Sequence, residues 1–448
     1  MWCLRGFEVD AICLLFWYYI QYSFTHILEI KFIRENKDIV QMAAQKKNLS
    51  FNVDDLLTVD KARLELLTSV EQLRSEQNKL SDKVALATDS MARAGFIEEV
   101  RVLKETLKQK EDELKEKMHE WQKLMLAVPN VPDMSVPDGE SDADNVEVKK
   151  WGDITQFPFE PKDHVELMTN LKMVDFERGT KVHGFRGYFL MGQGVQLSFA
   201  IWNYALSFWT NKGFTPVIPP IIARKQIFMG TGYLPAGEDD LYKTQDGDFL
   251  AGTAEVPVMG LHSDEVLDMK DFPVKYLGFS PCYRREAGSH SKDVKGLIRV
   301  HEFYKWEQVV LCEASHATSV ALHEEINRNT EEFIESLGIP YHTVANCGGD
   351  LGQGQVKKYD VELWVPKEER YREISSASYF HDFQTRRGNI KYKDNEGNLR
   401  FAHSLNCTAI PTPRILVSLI ENYQEADGSI RIPEVLRPYM GGITHIKN

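Results

Sequence analysis

The amino-acid sequence predicts an α+β fold, with an N-terminal antiparallel coiled-coil hairpin followed by an antiparallel sheet flanked by helices. Apolar residues recur every seven positions in two arms between residues 59 and 126, which is typical of a coiled coil. The stretch 129-PNVPDMSVPDGESDADN-145 then ends all periodicity. Beyond it, short runs of alternating apolar and polar residues are mixed with a few helical patterns, which favours an antiparallel sheet backed by helices.

The composition is that of a globular protein. The 448 residues are 43% hydrophobic and 27% charged, which excludes a disordered or collagen-like chain. The net charge of -13 argues against a protein that coats nucleic acid without specificity, so we expect no DNA partner, whereas a structured RNA partner is compatible with it. The six cysteines include no C-x-x-C pair, so they indicate neither zinc nor a disulfide framework, and we interpret them as reduced thiols in the cytoplasm.

The first 26 residues form an atypical apolar extension. Its run 11-AICLLFWYYI-20 is short for a membrane span and is closer in length to the core of a signal peptide. Because Glu8 and Asp10 precede the run and no small-residue cleavage site follows it, we interpret residues 1–26 as no targeting signal and expect no membrane partner.

The two helical arms share a heptad seam. The seam residues are Leu66, Val70, Leu73, Leu80 and Val84 in the first arm and Val100, Leu107, Leu114 and Trp121 in the second. Between the arms, 87-ATDSMARAG-95 offers Asp, Ser and Gly for a reversal, so the arms are predicted to pack as an antiparallel hairpin. Heptads specify packing and not a ligand, so a spacer or dimerisation arm is the alternative to an arm that binds a polyanion.

Changes in composition divide the chain into segments. We predict an arm-bearing domain over 27–128, an exposed linker over 129–147 and a larger domain over 148–448. The larger domain is predicted to contain a helix around 194–213 and strands at 215–222, 274–280, 298–311 and 359–366.

Two neighbouring strands carry most of the charged candidate residues. The stretches 276-YLGFSPCYRRE-286 and 298-IRVHEFYKWEQVVL-311 are predicted to form a hairpin around the loop 287–297. The residues on its polar faces are Arg284 and Glu286 in the first strand and Arg299, Phe303 and Glu307 in the second. Such faces offer guanidinium groups for phosphate, a ring for a base and a carboxylate for an ammonium group. The alternative is a solvated face with cross-strand ion pairs worth about 0.2–1 kcal/mol each.

Further polar groups lie in two other stretches. In 372-REISSASYFHDFQTRR-387, Glu373 and Ser376 offer oxygens suited to Mg2+, which binds through one or two protein carboxylates together with nucleotide phosphates. Thr253 and Glu255, two residues apart, are placed to clamp a small polar amino acid. The alternative is the start of a strand with Thr253 in a turn.

The stretch 404-SLNCTAIPTPRILVSLIENYQ-424 predicts a buried helix that begins near Pro413. Arg414 would lie on its first turn. A positive charge is unfavourable near a helix N-terminus unless an anion offsets it, so Arg414 predicts a phosphate contact.

Taken in this order, these segments resemble the seryl-tRNA synthetases, which are class II aminoacyl-tRNA synthetases. The resemblance extends from 28-LEIKFIREN-36 to 433-PEVLRPYMGG-442. Its specific marks are TAEVPV at 253, YRREAGS at 283 with IRVHEFYKWE at 298, EISSASYFHDFQTRR at 373 and ENYQEADGSIRIPEVLRPYMGG at 421. It implies a class II catalytic domain that activates serine with ATP and Mg2+, without zinc, and transfers serine to the 3′ end of tRNA(Ser). It leaves tRNA(Sec) open as a second acceptor, and it implies a homodimer whose coiled-coil arm binds the tRNA.

The resemblance also implies roles for the matching residues. The serine pocket would consist of Thr253, Glu255, Arg284, Glu307, Asn406 and Thr408. The ATP contacts would be Arg284, Glu286, Arg299, Val300, Phe303, Glu373, Ser376 and Arg414. Among these residues, Arg284, Arg299 and Arg414 would be the catalytic phosphate contacts, and Glu373 and Ser376 the Mg2+ ligands. Pro220 matches the proline of the first class motif, which lies at the dimer interface.

The sequence departs from the family pattern at a few positions. The third motif reads CTAIPTP where the family usually has glycines, and Ala377 and Tyr379 stand where Cys and Asn are common. Ile27 occupies the usual position of the initiator Met, so we interpret residues 1–26 as the result of a misplaced start. The rival hypotheses are a paralogue that is inactive or loads a non-tRNA acceptor and a non-catalytic scaffold. The intact heptads disfavour the first, and the retained arginines disfavour the second.

Overall fold

The structure is a computed structural model that describes residues 29–288, 293 and 295–448. These residues fall into two compact units, one within Leu28–Val131 and one within Pro132–Asn448. The apolar extension predicted over 1–26 lies outside the described residues. Among the described helices, none combines the length and the hydropathy that crossing a bilayer requires.

The first unit is helical. Its helices are α1 (Ile30–Glu35), α2 (Lys37–Lys46), α3 (Val53–Leu86) and α4 (Ser90–Ala127). The two long helices begin at side-chain caps, because Asn52 accepts a hydrogen bond from the Asp54 amide at 3.0 Å and Asp89 accepts one from the Ala92 amide at 2.8 Å. They pack against each other along their length and form the predicted antiparallel hairpin.

The predicted seam is the contact surface of this hairpin, since every predicted heptad residue is buried or half-buried. Val70 and Leu107 are the most enclosed of them, at 1% and 8% exposure. Elsewhere in the unit the buried carboxylate of Asp60 accepts hydrogen bonds from Arg34 Nε at 2.7 Å and from Arg63 Nη2 at 2.8 Å. Apolar periodicity and the buried ion-pair cluster around Asp60 therefore help to hold the helices together.

The second unit combines strands with helices. Its strands are β1 (Val146–Trp151), β2 (Val174–Asp175), β3 (Phe189–Leu190), β4 (Thr215–Val217), β5 (Ile222–Ala223), β6 (Phe249–Leu250), β7 (Val266–Asp268), β8 (Val274–Tyr283), β9 (Glu302–Cys312), β10 (Tyr341–Ala345), β11 (Lys357–Val365), β12 (Arg370–His381), β13 (Lys391–Lys393), β14 (Leu399–Phe401), β15 (His403–Thr412), β16 (Ile430–Arg431) and β17 (His445–Ile446). Its helices are α5 (His164–Asn170), α6 (Phe176–His183), α7 (Gly192–Asn211), α8 (Lys225–Thr231), α9 (Glu255–Gly260), α10 (His316–Leu337), α11 (Phe383–Arg387) and α12 (Arg414–Asn422).

An eight-stranded sheet forms the centre of this unit, with the order β1-β10-β11-β12-β15-β9-β8-β4. Neighbouring strands are antiparallel except for β4 and β8, which are parallel. Pairs such as Gly278 with Glu307 set the register of the predicted β8–β9 hairpin. The antiparallel sheet flanked by helices confirms the predicted fold class.

The two faces of the sheet have different neighbours. One face packs against α10, where Thr330 Oγ1 donates a hydrogen bond to the backbone oxygen of Thr408 at 3.1 Å and lies 3.5 Å from Cys407 Sγ. Because side chains alternate along a strand, Asn406 and the Thr408 side chain point away from Cys407, and they line a cavity on the opposite face.

The stretch 129–147, predicted as an exposed linker, is exposed over most of residues 138–147 but packs closely in its first part. Residues from Pro132 onward belong to the compact second unit, and Val136 is only 3% exposed. The Asp133 amide donates a hydrogen bond to Val356 O at 2.9 Å, and β1 already begins at Val146. Proline and acidic residues suggested exposure throughout, but Asp133 is held by distant residues at both its backbone and its carboxylate, which accepts a hydrogen bond from the Tyr379 hydroxyl at 2.7 Å.

Two local predictions also differ from the structure. Strand β9 begins at Glu302 instead of 298, because the ladder with β8 ends at the pair Tyr283 and Glu302. Arg299 therefore lies in the loop before the strand and not on its face. The stretch after Thr253 forms helix α9, so the alternative of a strand at this position is wrong.

Candidate active site

Two adjoining cavities lie over β8, β9, β12 and β15, and their volumes are about 370 Å3 and about 50 Å3. Arg284, Lys305, Glu373 and Thr408 line both cavities. The larger cavity contains most of the residues predicted for serine, and the smaller one most of those predicted for ATP. The shared lining residues make the two cavities parts of one site.

A buried cation occupies the centre of the larger cavity. Lys305 Nζ donates hydrogen bonds to Thr253 Oγ1 at 2.9 Å and to Thr408 Oγ1 at 3.4 Å, and it forms an ion pair with the Glu307 carboxylate. Lys305 and Glu307 are only 4% and 2% exposed. The opposed pair of Thr408 on β15 and Glu307 on β9 brings these groups together across the sheet. Lys305 is not among the predicted site residues, although strand alternation places it on the same face as Glu307.

A second buried carboxylate, Glu255, lies in the same cavity on the first turn of α9. It accepts hydrogen bonds from the Tyr233 hydroxyl at 2.9 Å and from Gln384 Nε2 at 2.7 Å. Burial and the negative charge of Glu307 raise the pKa of Glu255. Two carboxylates beside one lysine give the cavity an excess of negative charge, which is complementary to a substrate ammonium group.

Three arginine side chains converge on the smaller cavity. Arg284 Nε donates to Gly252 O at 3.2 Å, and its guanidinium carbon lies 5.2 Å from the ring centroid of Phe303. Arg299 forms an ion pair with Glu286 at 2.5 Å. Burial, together with the positive charges of Arg284 and Arg299, lowers the pKa of Arg414. Guanidinium groups close enough to repel one another form a strong anion site.

Helix α12 places Arg414 as the sequence predicts, at its first residue. Arg414 Nε donates to Ile298 O at 2.9 Å, and Nη1 donates to Glu373 O at 3.0 Å. Pro411 and Pro413 of the unusual third motif line the smaller cavity. Strand β15 continues through this motif as far as Thr412, with a register shift against β9 between Thr408 and Ile410, and Pro411 still pairs with Lys305.

The spacing of Glu373 and Ser376 requires a β-bulge. Residues three apart on a regular strand point to opposite faces. Between β11 and β12 the register shifts so that Glu362 opposes Glu373 while Asp360 opposes Ser376, and Ile374 is the extra residue. The bulge therefore brings both predicted Mg2+ ligands to one face of the sheet.

Asp360, opposite Ser376, is a further acidic group that the sequence alone does not single out. Burial raises its pKa to about 6, and the charge of Glu373 acts in the same direction. Lys358 Nζ lies 3.5 Å from the Asp360 carboxylate and offsets part of its charge. Glu373 and Ser376 offer carboxylate and hydroxyl oxygens, which are the ligands that Mg2+ prefers, so these two residues fit the ion.

The remaining predicted residues are placed as follows. Thr253 is 1% exposed and lies behind the cavity wall, where its hydroxyl accepts a hydrogen bond from the lining residue Lys305. Asn406 lines the larger cavity directly. Val300, Phe303 and Glu286 line the smaller one. Pro220 is exposed and lies outside both cavities. Apart from Pro220, the predicted residues therefore lie in or against one continuous site.

This sheet order and the arginine-lined site on its face define a class II aminoacyl-tRNA synthetase. The family model for the tRNA synthetase class II core domain (G, H, P, S and T) matches residues 242–423, and the model for the seryl-tRNA synthetase N-terminal domain matches residues 27–132. The chain belongs to the seryl-tRNA synthetase family.

Similar proteins support this membership over nearly the whole chain. The serine–tRNA ligase of Deinococcus radiodurans is 42% identical over 417 residues, which is 93% of this chain and 98% of the relative. The crystal structure of seryl-tRNA synthetase from Pyrococcus horikoshii complexed with ATP is 37% identical with a TM-score of 0.85, covering 93% of this chain and 99% of that one. The cytoplasmic serine–tRNA ligase of Naegleria fowleri in complex with AMP is 31% identical with a TM-score of 0.82, covering 94% and 99%. The predicted family and serine–tRNA ligase activity are confirmed.

Proposed function

We propose that this chain activates serine with ATP to seryl-adenylate and pyrophosphate, and that it then transfers serine to the 3′ end of tRNA(Ser). The observation that supports this most strongly is the continuity of the two cavities. A buried pocket with excess carboxylate opens directly onto three converging arginines, and Arg284 lines both parts. An amino acid bound in the first part would present its own carboxylate to a phosphate bound in the second.

The serine half of the site would use the groups around Lys305. Glu307 and Glu255 would attract the ammonium group of serine, and Thr408 and Asn406 offer partners for its hydroxyl. Lys305 is the counter-ion of Glu307, and its hydrogen bonds hold the side chains of Thr253 and Thr408 in place. These contacts fix the positions of the polar groups that would meet serine.

The ATP half of the site would use the arginines. Arg284 would contact the α-phosphate, and Arg299 and Arg414 the β- and γ-phosphates, while adenine would stack on Phe303 near Glu286 and Val300. The serine carboxylate is itself the nucleophile, so the protein needs to supply only position and fixed positive charge. The developing charge on the phosphates and on the leaving pyrophosphate would be stabilised by guanidinium groups that are already in place.

Glu373 and Ser376 would hold Mg2+, with Asp360 beside Ser376. When bound, the ion would neutralise part of the negative charge of the ATP phosphates. Glu373 suits this role because its side chain is half-exposed towards the cavities, while Arg414 holds its backbone oxygen at 3.0 Å.

The two units would have separate roles, with residues 27–128 binding tRNA through the coiled-coil arm and residues 148–448 carrying the chemistry. Two long helices with an exposed surface provide a rigid arm for a large polyanion. Charging assays with tRNA(Ser) and tRNA(Sec) would establish whether both are acceptors. The cysteines at 282, 312, 347 and 407 are free thiols, which supports a cytoplasmic location.

A homodimer is also part of the proposal. On the second unit, the exposed apolar residues Val182, Phe189 and Phe199 line a cavity of about 560 Å3 beside α7. Val182 is 73% exposed and Phe199 is 54% exposed, which is unfavourable in water unless another surface covers them. A Phe199→Glu variant should sediment as a monomer, and sedimentation of this variant as a dimer would place the interface elsewhere.

The decisive experiment is ATP–pyrophosphate exchange with serine, threonine, alanine or no amino acid, followed by charging of tRNA(Ser). Exchange that depends on serine, together with charging, supports the proposal. Exchange without charging would favour the paralogue that loads another acceptor. No exchange from folded protein with Mg2+ would favour the non-catalytic scaffold.

A further inference from the structure

A buried histidine outside the lining of both cavities contacts the loop that carries the nucleotide residues. His164 is the first residue of α5 and is 5% exposed. Its Nδ1 lies 2.9 Å from Glu421 Oε1, and its backbone amide donates to the same oxygen at 2.9 Å. Glu421 Oε2 accepts a hydrogen bond from the Lys367 amide at 3.0 Å. A carboxylate accepts and does not donate, so the imidazole proton belongs on Nδ1.

The other ring nitrogen contacts the loop. With the proton on Nδ1, His164 Nε2 carries a lone pair, and it accepts a hydrogen bond from the Leu297 amide at 3.2 Å. The preceding residue, Gly296, has φ +85°, and a Cβ there would lie 2.2 Å from Nε2. The imidazole therefore sits against the loop backbone so closely that glycine is required at this position.

The residues after Leu297 belong to the nucleotide half of the site. Ile298 O accepts the hydrogen bond of Arg414 Nε, Arg299 forms the ion pair with Glu286, and Val300 lines the smaller cavity. Moving Leu297 would therefore move three successive residues that surround the bound phosphates and base.

One helix holds this loop segment at two places. Arg414 at the start of α12 binds Ile298 directly, and Glu421 near its end reaches Leu297 through His164. The serine half of the site has its own supports, such as Gln384 for Glu255 and Thr253 for Lys305, and none of these contacts involves His164.

We propose that His164 is a positioning residue for ATP, which acts through the Leu297 amide and holds residues 297–300 in the conformation that binds the nucleotide. This inference rests on the proposed function. It implies that removing the Nε2 acceptor weakens ATP binding while leaving serine binding nearly unchanged.

Two substitutions separate the two hydrogen bonds of the ring. His164→Asn retains a donor near the Nδ1 position for Glu421 but has no acceptor at the Nε2 position. His164→Gln retains an acceptor near the Nε2 position for the Leu297 amide. We expect His164→Asn to raise KM for ATP about tenfold, with KM for serine within twofold of the wild type, and His164→Gln to recover most of the loss, because about one hydrogen bond is at stake.

The measurements are steady-state exchange kinetics on the full chain for both substrates, with melting temperatures for each variant. His342→Asn is the matched control, because this histidine also binds carboxylates but lies on β10 and lines neither cavity. We expect it to leave both KM values unchanged. If His164→Asn does not fold, Gly296→Ala tests the same contact from the loop side and should also raise KM for ATP selectively.

The outcomes distinguish this inference from the proposed function. Wild-type protein without serine-dependent exchange contradicts the proposed function itself. An active wild type with a folded His164→Asn variant whose KM for ATP stays within twofold, or whose two KM values rise together, overturns the positioning role.

Discussion

The seam of the helical hairpin and the candidate active site of the second unit bury different kinds of side chain. In the hairpin of α3 and α4 the most enclosed seam residues are apolar, with Val70 at 1% and Leu107 at 8% exposure. In the sheet of the second unit, the charged residues Lys305 and Glu307 are just as enclosed, at 4% and 2%. The arm keeps most of its charges in water, as in the pair of Arg74 and Glu111, whose side chains are 60% and 39% exposed.

The buried apolar residues of the hairpin contribute to stability, whereas the buried charged residues of the candidate site serve function. Burying an apolar side chain stabilises a fold, whereas burying charges costs free energy that their mutual attraction only partly offsets. A cluster of buried charges such as that of Lys305, Glu307 and Glu255 is therefore expected where a ligand needs it, whereas the buried Asp60 of the helical unit is paired with Arg34 and Arg63. Substitutions in the two units should accordingly affect different measurements, and the variants below test this expectation.

The largest effect is expected from Arg414→Ala in the active site. Removing one preorganised donor to a developing phosphate charge should lower the rate of serine-dependent exchange by roughly 10²–10³-fold. The melting temperature should fall only slightly, because the direct loss is two hydrogen bonds to backbone oxygens. Arg74→Ala in the arm is the control and should leave the exchange rate unchanged. Equal rates for both variants would contradict the proposed site.

Leu107→Ala should lower stability and leave the exchange rate unchanged, which is the reverse of the effect expected for Arg414→Ala. Truncating this seam residue should lower the free energy of unfolding of the helical unit by roughly 2–3 kcal/mol, since it leaves a gap between the two helices. The measurement is calorimetry on the full chain, together with the exchange rate, which should remain at the wild-type value. Val102→Ala is the matched control, because Val102 is 50% exposed and its truncation should cost little. A large loss of exchange with Leu107→Ala would show that the units are not independent.

Asp60→Asn tests the buried ion-pair cluster around Asp60 in the helical unit. The carboxylate is 2% exposed and binds both Arg34 and Arg63, whereas the Arg34 side chain is 40% exposed. Loss of the charge should therefore destabilise the unit by roughly 1–2 kcal/mol, less than for a fully buried pair. Denaturant unfolding measures this loss. A neutral effect would mean that the arginines are adequately solvated without Asp60.

The smallest expected effect is a pH-dependent contribution of His342 to the stability of the second unit. Burial opposes its protonation, but hydrogen bonds to Glu362 and Glu147 outweigh burial and raise its pKa above the ordinary value. The protonated ring therefore stabilises the fold fully below the ordinary histidine pKa, and this stabilisation is lost as the pH rises through the raised value. Relative to the wild type, His342→Gln should be less stable by roughly 0.5–1 kcal/mol at pH 6 and about equally stable at pH 9. A difference that does not change with pH would refute the charge contribution.

Several features of the molecule follow from local sequence pattern. The hairpin of α3 and α4 was predictable because the seven-residue spacing of apolar residues is sufficient to define a seam. Helix α12 was predictable in the same way, from Pro413 and the helical spacing of its apolar residues. The packing of residues 132–136 was not predictable in this way, since their composition does not reveal distant partners such as Val356 O, which accepts the hydrogen bond of the Asp133 amide.

The sequence by itself determined the helical arm, the fold class and, through its resemblance to the seryl-tRNA synthetases, most of the residues in the candidate site, although not Lys305 or Asp360. Only the tertiary structure decided how these residues meet. Thr408 reaches Glu307 across 101 residues of chain, the bulge at Ile374 places Glu373 and Ser376 on one face, and His164 contacts Leu297 across 133 residues. The apolar residues of a heptad lie on neighbouring turns of one helix, so they can be recognised from local sequence. Strand register, bulges and loop contacts instead depend on partners far away in the sequence.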